Sequence, residues 1–238
     1  LIDNLRRKAA ALTAHIRKNE FVGDNKGNHW YNGYYDNHAS KVEGGVRMML
    51  TSQVFTIMSG VATDEEVSQI VKAADEYLYD ESIGGYKLNS NFHEVKMDLG
   101  RMFGFAYGQK ENGAVFCHMA VMYANSLYKR GLIKEGYKVI KALYSHAMNM
   151  ERSGIYPGIP EYFDSKGRGV YHYLTGAGSW LLLTILNDMF GVKGDGGNLL
   201  LDPKLDISQF SSKCEAMADF EFAGVPVSLT YRISTDRF

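Results

Sequence analysis

The sequence predicts a mostly α-helical protein that forms about half of an (α/α)6 toroid and ends in a short β segment. Strongly apolar helical stretches alternate with amphipathic ones, as expected for inner helices that line a core and outer helices that cover them. The two helices of a pair are a few residues apart, whereas the links between pairs, 80–112 and 151–175, are long. From about Asn198 the residues alternate or are β-branched, which indicates strands. We therefore assign residues 1–195 to the barrel and residues 196–238 to the beginning of a C-terminal β domain.

Local signals support the individual helices. Thr63 followed by Glu66 is a capping box, and Gly60 and Gly131 follow apolar stretches that a glycine can terminate. The predicted helices cover residues 2–18, 43–59, 63–79, 113–130, 133–150 and 176–190. The chain starts within a helical pattern without an initiator Met and stops in a strand pattern, so we expect it to be part of a longer protein. The open inner faces of half a toroid then need the remainder of the same polypeptide or a complementary chain.

Composition argues against several classes of protein. The 26 basic and 27 acidic side chains are interspersed, so neither a nucleic-acid patch nor an acidic tail is expected. Two cysteines, Cys117 and Cys214, are too few for a disulfide framework and fit a reducing cytosol. No apolar stretch reaches the length of a membrane span, and no signal peptide is visible. We expect a cytoplasmic protein without nucleic-acid or membrane partners.

Neither a metal nor a cofactor is expected. The spacing of His29, His38 and His93 is not typical of a metal site. The glycine pairs at 44–45 and 196–197 do not match a dinucleotide or P-loop fingerprint.

A hydroxyl and small residues open the last predicted helix, in "YLTGAGSW". The free N–H groups of a helix N-terminus bind anions, so Thr175 and Gly176 are candidates for an anion site. The alternative is a helix that starts in a crowded place and needs small residues for packing. The residues of this segment alone leave both interpretations open.

Two further groups of polar residues lie in or beside the long links. Lys110 and Glu111 stand just before the helix that carries His118, and all three could converge on a polar or anionic ligand. The alternative is two solvated charges and a core histidine. In the second link, Glu161 and Arg168 occur among tyrosines, a mixture typical of sugar sites but also compatible with core filling.

Three segments, "HWYNGYYDNHASKVEGGVRMMLTSQVFTIMSGVAT", "KENGAVFCHMA" and "GRGVYHYLTGAGSW", together resemble a known family. They are similar, in this order, to the later part of the catalytic domain of glycoside hydrolase family 94, the inverting disaccharide and oligosaccharide phosphorylases. The resemblance extends over roughly residues 5 to 205. It implies the C-terminal half of an (α/α)6 barrel followed by a β domain.

The resemblance also implies roles for individual residues. His118, Thr175 and Gly176 match the family's phosphate-binding positions, so phosphate would lie at the start of the last helix. Lys110, Glu111, Glu161 and Arg168 are candidate sugar contacts. Inorganic phosphate is a substrate of this family, and it would replace the activated water of an inverting hydrolase. The products would be α-glucose 1-phosphate and a shortened sugar.

The general acid of this family is an Asp in a "DWND"-like segment, which the order of motifs places before Leu1. No catalytic residue is therefore expected in this chain, and Asp36 in "YYDNH" lies past the expected position. We expect the chain alone to be inactive. The alternatives are an inverting hydrolase of the same toroid class and a non-catalytic carbohydrate-binding fragment. The expected partners are a β-linked di- or oligosaccharide and phosphate, and a second copy in a homodimer is a further candidate.

Overall fold

The computed structural model describes residues 1–155, 158–172 and 176–234. About 45% of the chain is helical, and the sheets are small, which confirms the mostly α prediction. The helices are α1 (Ile2–Glu20), α2 (Leu50–Met58), α3 (Asp64–Tyr77), α4 (Cys117–Lys129), α5 (Ile133–Met148), α6 (Met150–Ser153) and α7 (Gly176–Leu183). A π-helical segment, Thr184–Met189, continues α7 without a break, because Leu183 at the junction keeps helical angles. None of the helices in the described ranges is long and apolar enough to cross a membrane.

Every strand pairing in the described residues is antiparallel. The strands are β1 (Phe21–Gly23), β2 (His29–Tyr31), β3 (Tyr79–Asp80), β4 (Gly85–Tyr86), β5 (Val115–Phe116), β6 (Tyr162–Phe163), β7 (Gly169–Val170), β8 (Val192–Asp195), β9 (Asn198–Leu201), β10 (Glu215–Phe222) and β11 (Val225–Arg232). Four sheets are two-stranded hairpins, and the fifth joins β5, β6 and β7. The three-stranded sheet matters most for the site, because it ties the second long link to the start of α4.

Predicted helix starts agree with the structure where the signal is a side-chain cap. The Thr63 hydroxyl accepts from the Glu66 N–H and the Glu66 carboxylate accepts from the Thr63 N–H, so the capping box is confirmed. The predicted start of α2 at residue 43 was wrong. Gly44 and Gly45 have φ of +85° and +70°, outside the helical range, and the helix begins only at Leu50.

The start of α4 was also predicted too early. Gly113 has φ of +76° and lies in a turn, and Val115 and Phe116 belong to β5, so the helix begins at Cys117. This places His118 in the first turn of α4 rather than a turn or more inside the helix. The displacement matters for function because groups in a first turn lie beside free backbone N–H groups.

Helix α4 is the centre of the core. Every residue from Ala120 to Tyr128 is buried, and the helix packs against α2, α5 and α7. Helix α5 buries only one side, through Val139, Leu143 and Ala147 among others. An all-round buried helix beside a two-faced one agrees with the predicted inner and outer pair. Closure into a six-pair toroid stays a prediction.

The predicted strand pattern beyond Asn198 is confirmed in β9, β10 and β11. The β10–β11 hairpin turns through Ala223 and Gly224, whose φ values of +50° and +78° suit a tight two-residue turn. Strand β8 begins at Val192, so residue 196, the predicted domain boundary, falls in the turn of the β8–β9 hairpin. The division into two domains stays a prediction.

Candidate functional site

The starts of α4 and α7 meet at His118 and Gly176. A Cβ at position 176 would lie 2.6 Å from Cε1 and 2.7 Å from Nδ1 of the imidazole, so a side chain there would force the ring to move. The glycine therefore allows the close approach of the ring to the α7 backbone. Thr175, the other predicted residue at this helix start, lies outside the described residues.

The His118 side chain offers a buried hydrogen-bonding atom. Its Nε2 is buried and has no hydrogen-bond partner in the part of the chain that the structure describes. The ring lies 6.0 Å from the ring of Trp180, centroid to centroid, at an angle of 43°. Burial lowers the pKa of His118 below its ordinary value, so the neutral imidazole is favoured. A buried imidazole nitrogen without a partner, beside a helix N-terminus, is suited to binding an oxyanion.

Two buried asparagines shape the segment that precedes β5. The Asn89 side chain accepts from the Gly113 N–H at 2.8 Å and donates to Asn112 Oδ1 at 3.3 Å. Asn112 Nδ2 in turn donates to the Phe105 carbonyl at 2.9 Å. These bonds satisfy the Gly113 N–H and the Phe105 carbonyl in an irregular buried segment. They also hold the chain in place directly after Lys110 and Glu111.

Gly113 is required in this turn for two reasons. Its φ of +76° favours glycine, and a Cβ there would lie 2.2 Å from the Tyr107 ring. The Tyr107 hydroxyl donates to the Asn89 carbonyl at 3.3 Å, so the ring is fixed from its far end. Asn112 and Gly113 together form the rigid turn that leads into β5 and His118.

The three-stranded sheet brings Glu161 to the start of α4. The Cys117 N–H donates to the Glu161 carbonyl at 2.9 Å, and the Glu161 N–H donates to the Tyr171 carbonyl at 3.0 Å. Lys110 reaches the same place from the other link: its ammonium lies 4.5 Å from the centre of the Tyr171 ring. Hydrogen bonding with Tyr171 raises the pKa of Lys110, so the group is cationic. Lys110 and Glu161 thus lie near the end of α4 that carries His118.

Glu111 is only partly engaged. One carboxylate oxygen forms an ion pair with Arg101 at 3.0 Å. The other oxygen, Oε2, is buried and has no hydrogen-bond partner among the described residues. A half-paired carboxylate can accept hydrogen bonds from sugar hydroxyls.

Arg168 lies at the opposite end of the β6–β7 hairpin from Glu161. Its guanidinium donates from Nε at 2.9 Å and from Nη2 at 2.7 Å to one oxygen of the buried Asp164. The pair, with backbone bonds to the other oxygen, lowers the pKa of Asp164 against the effect of burial, which raises it. Arg168 therefore stabilises the hairpin turn, and its proposed sugar contact stays a prediction.

Other candidate groups do not provide chemistry here. Cys117 is buried, and burial raises the pKa of its thiol, which excludes a thiolate nucleophile. The Asp36 carboxylate accepts from the Ser40 and His38 N–H groups, and these bonds lower its pKa, which favours the ionised form over the protonated form that a general acid needs. Within the described ranges, no three His, Cys, Asp or Glu side chains could hold a metal.

Two open cavities lie away from the His118–Gly176 contact. One, of about 690 Å³, follows the outer face of α5 and includes Lys134, Tyr137 and Lys141. The other, of about 360 Å³, lies beside the segment that ends at Asn112 and includes several aromatic residues, among them Phe103 and Tyr107.

Residues 3–191 match the model of the glycosyl hydrolase 94 superfamily catalytic domain. The chain belongs to this family. It is 26% identical to cellobionic acid phosphorylase of Neurospora crassa over 78% of this chain and 24% of that protein. It is 29% identical to solabiose phosphorylase of Paenibacillus borealis, over 79% of this chain and 26% of that protein. N,N'-diacetylchitobiose phosphorylase of Vibrio proteolyticus is also 29% identical, over 69% of this chain and 21% of that protein. The chain thus spans about a quarter of the length of these relatives.

Sequence reasoning singled out the polar candidates Lys110, Glu111 and His118 but not the residues that position them. No sequence pattern marks Asn89 as a positioning residue, because a buried asparagine cannot be distinguished from an exposed one without the fold. Asn112 and Gly113 carried the Asn-Gly turn signal, which does indicate their role. Trp180 was part of the quoted "YLTGAGSW" motif, and only the structure places its ring against His118.

Proposed function

We propose that this chain is the phosphate-binding part of an inverting glycoside phosphorylase. The enzyme would cleave a β-glucoside with inorganic phosphate to give α-glucose 1-phosphate and a shortened sugar. The observation that carries the proposal is the contact between His118 and Gly176, with the buried Nε2 of His118 unpaired among the described residues. The similarity to phosphorylases of cellobionic acid, solabiose and N,N'-diacetylchitobiose supports it.

Phosphate would bind beside the His118 ring, at the first turn of α7 against which the ring packs. The N–H groups at the start of α7 and the positive end of its dipole attract an oxyanion, and the neutral imidazole offers one N–H donor. Thr175 is the third proposed ligand, through its hydroxyl. The absence of a side chain at Gly176 lets the imidazole lie against the backbone of this first turn.

The reaction itself would be a single displacement. A phosphate oxygen attacks the anomeric carbon from the face opposite the glycosidic oxygen. The bond between the anomeric carbon and the glycosidic oxygen breaks as the new carbon–oxygen bond to phosphate forms. A general acid protonates the leaving oxygen. Phosphate is already a nucleophile, so no carboxylate base is required. Hydrogen bonds from the Ser40 and His38 N–H groups favour the ionised form of Asp36, so we propose that the acid belongs to another part of the protein.

The sugar would approach from the side of Lys110 and Glu161. These residues lie near the same end of α4 as His118, one as a cation on the Tyr171 ring and the other tied to the Cys117 N–H through its backbone. Glu111 Oε2, which has no hydrogen-bond partner among the described residues, would accept a hydrogen bond from a sugar hydroxyl. Arg168 is the most distant of the proposed contacts along the hairpin and is already bound to Asp164.

The decisive experiment is substitution of His118 in the intact protein. Loss of a hydrogen bond to a charged ligand should cost about 2–3 kcal/mol, so His118→Ala should lower kcat/KM for phosphate by roughly 30- to 150-fold. The matched control is His15→Ala, because His15 is exposed on α1 and its ring lies within hydrogen-bond distance of Asn19, on the same helix. Products should be identified by phosphorus NMR, with α-glucose 1-phosphate expected.

Two outcomes would overturn the proposal. Release of free glucose at a rate independent of phosphate would favour the inverting hydrolase. A fully stable His118→Ala variant with unchanged phosphate dependence would return His118 to the role of a core histidine.

A further inference from the structure

A buried polar cluster joins α4 to the π-helical continuation of α7. It consists of Asn125, Thr184 and Asp188, each at most 4% exposed. Asn125 Nδ2 donates to Asp188 Oδ2 at 2.6 Å and to Thr184 Oγ1 at 3.3 Å. Thr184 and Asp188 are one turn apart, so they face the same side of their helix and both reach the one amide.

The cluster lies on the same two helices as the proposed phosphate site. Asn125 is two turns beyond His118 along α4, about 10 Å at the usual helical rise. Thr184 is about as far beyond Gly176 along α7 and its continuation. His118 meets Gly176 at one end and Asn125 meets Thr184 at the other, so the two helices run side by side in the same direction.

Two contact points along a helix pair determine its register. The buried residues of α7 itself are Ala177 and Leu181, whose apolar contacts are non-directional. Such contacts hold the helices together. The hydrogen-bonded cluster adds a directional element to this interface, and a shift there would be carried along the helices to the His118–Gly176 contact.

The cluster is unfavourable to bury, and the proposed reaction does not use it. Burial raises the pKa of Asp188, although the nearby Lys129, Lys193 and Lys204 lower it. Buried polar groups of this kind are often less stable than well-packed apolar ones, and setting register is the best attested reason for their presence.

We propose that Asp188 is a positioning residue that acts through Asn125 to set the register of α4 against α7 and hence the spacing of His118 from the first turn of α7. This inference rests on the proposed phosphate site. A displacement of about 1 Å in a binding group can lower activity by as much as about 100-fold, so the effect on phosphate should be large.

The test compares three variants in the intact protein. Asp188→Asn keeps an oxygen that can accept from Asn125, and Asp188→Leu removes it. The double variant Asn125→Leu/Asp188→Leu also removes the unpaired amide, so it should recover thermal stability through apolar packing. We expect Asp188→Leu and the double variant to raise KM for phosphate about tenfold or more, with KM for the sugar changed by less than about threefold. Asp188→Asn should stay close to the parent.

A readout independent of turnover is the imidazole C–H resonance of His118. It should move in Asp188→Leu and in the double variant but not in Asp188→Asn. If Asp188→Leu does not fold, the KM for phosphate and the His118 resonance of the double variant decide the question. Thr184→Val, which removes only the hydroxyl of the cluster, should shift both in the same direction by a smaller amount.

Recovery of both stability and phosphate KM in the double variant would overturn the inference, because the cluster would then be merely structural. An Asp188→Asn variant as impaired as Asp188→Leu would overturn it too, because charge rather than the hydrogen bond would matter. The proposed function is tested separately by His118→Ala. If that variant loses phosphate affinity while Asp188→Leu does not, only the positioning role of Asp188 fails.

Discussion

A Cβ at Gly176 would lie 2.6 Å from the His118 ring, whereas a Cβ at Gly178 on the same helix would meet nothing within 4 Å. Gly176→Ala should therefore affect the site and Gly178→Ala should not. The imidazole can relieve the clash by rotating away, so we expect phosphate binding to suffer more than folding. The predicted loss in kcat/KM for phosphate is about 10- to 100-fold.

Steady-state kinetics of the two variants in the intact protein would check this prediction. Gly178→Ala serves as the control, because the exposed helical position should tolerate alanine and gain up to about 1 kcal/mol of stability. Equal phosphate kinetics in both variants would mean that the Gly176–His118 approach has no role in binding phosphate.

The same residue shows how far the sequence could lead. The helix start at 176, and the anion site proposed for it, could be predicted because small residues before an apolar stretch are a local signal. The contact of His118 with Gly176 could not, because the two residues are far apart in sequence and the predicted start of α4 was too early. Only the φ of Gly113 and the pairing of β5 with β6 place His118 in the first turn.

Gly113 and Gly131 have the same φ, +76°, but different surroundings. A Cβ at 113 would overlap the Tyr107 ring, which its hydroxyl ties to the Asn89 carbonyl, whereas a Cβ at 131 would meet nothing within 4 Å. Gly131→Ala should cost about 1 kcal/mol of unfolding free energy from backbone strain alone. Gly113→Ala should cost about 1–3 kcal/mol more, because overpacking adds to the strain.

Urea denaturation of both variants followed by circular dichroism measures this difference. Equal losses for the two alanines would show that the Tyr107 ring moves freely and does not brace the turn before β5.

Asn112 should be intolerant of a change that preserves its shape. In Asn112→Asp an oxygen replaces the Nδ2 that donates to the Phe105 carbonyl at 2.9 Å, so two acceptors would face each other in a buried place. We expect a loss of about 1–3 kcal/mol or more in unfolding free energy. Asn25→Asp, the same change at an exposed turn position, should lie within about 0.5 kcal/mol of the parent. Similar denaturation midpoints for the two variants would contradict the bracing role of Asn112.

Arg168 illustrates a limit of residue-type reasoning. An arginine among tyrosines in a long link predicted a sugar contact. The sequence alone does not show which nearby carboxylate pairs with this arginine. The structure pairs it with Asp164, four residues earlier, across the hairpin turn. Glu161, in the same link, reaches the α4 end because the strand register between β5 and β6 places it beside Cys117. Strand register depends on contacts across the chain, so it could not be predicted from this segment alone.

The pKa of His118 should lie below its ordinary value of 6.5, because burial disfavours the imidazolium. Proton NMR of the imidazole C–H group against pH measures it directly. Trp180→Ala should raise the midpoint towards 6.5, since the ring that lies 6.0 Å away would no longer exclude water. Trp180→Phe, which keeps an aromatic ring, should leave the midpoint closer to that of the parent.

The sign of the linked stability change follows from the same shift. The folded chain binds the His118 proton less readily than the unfolded chain, so this group's contribution to stability is present above pH 6.5 and is lost as the pH falls through the folded pKa. Trp180→Ala should weaken that dependence, which thermal melts at several pH values would show. A midpoint at or above 6.5 in the parent, unchanged by Trp180→Ala, would mean that His118 is solvated and charged. Phosphate would then meet an imidazolium, and Trp180 would have no part in setting the protonation state of the site.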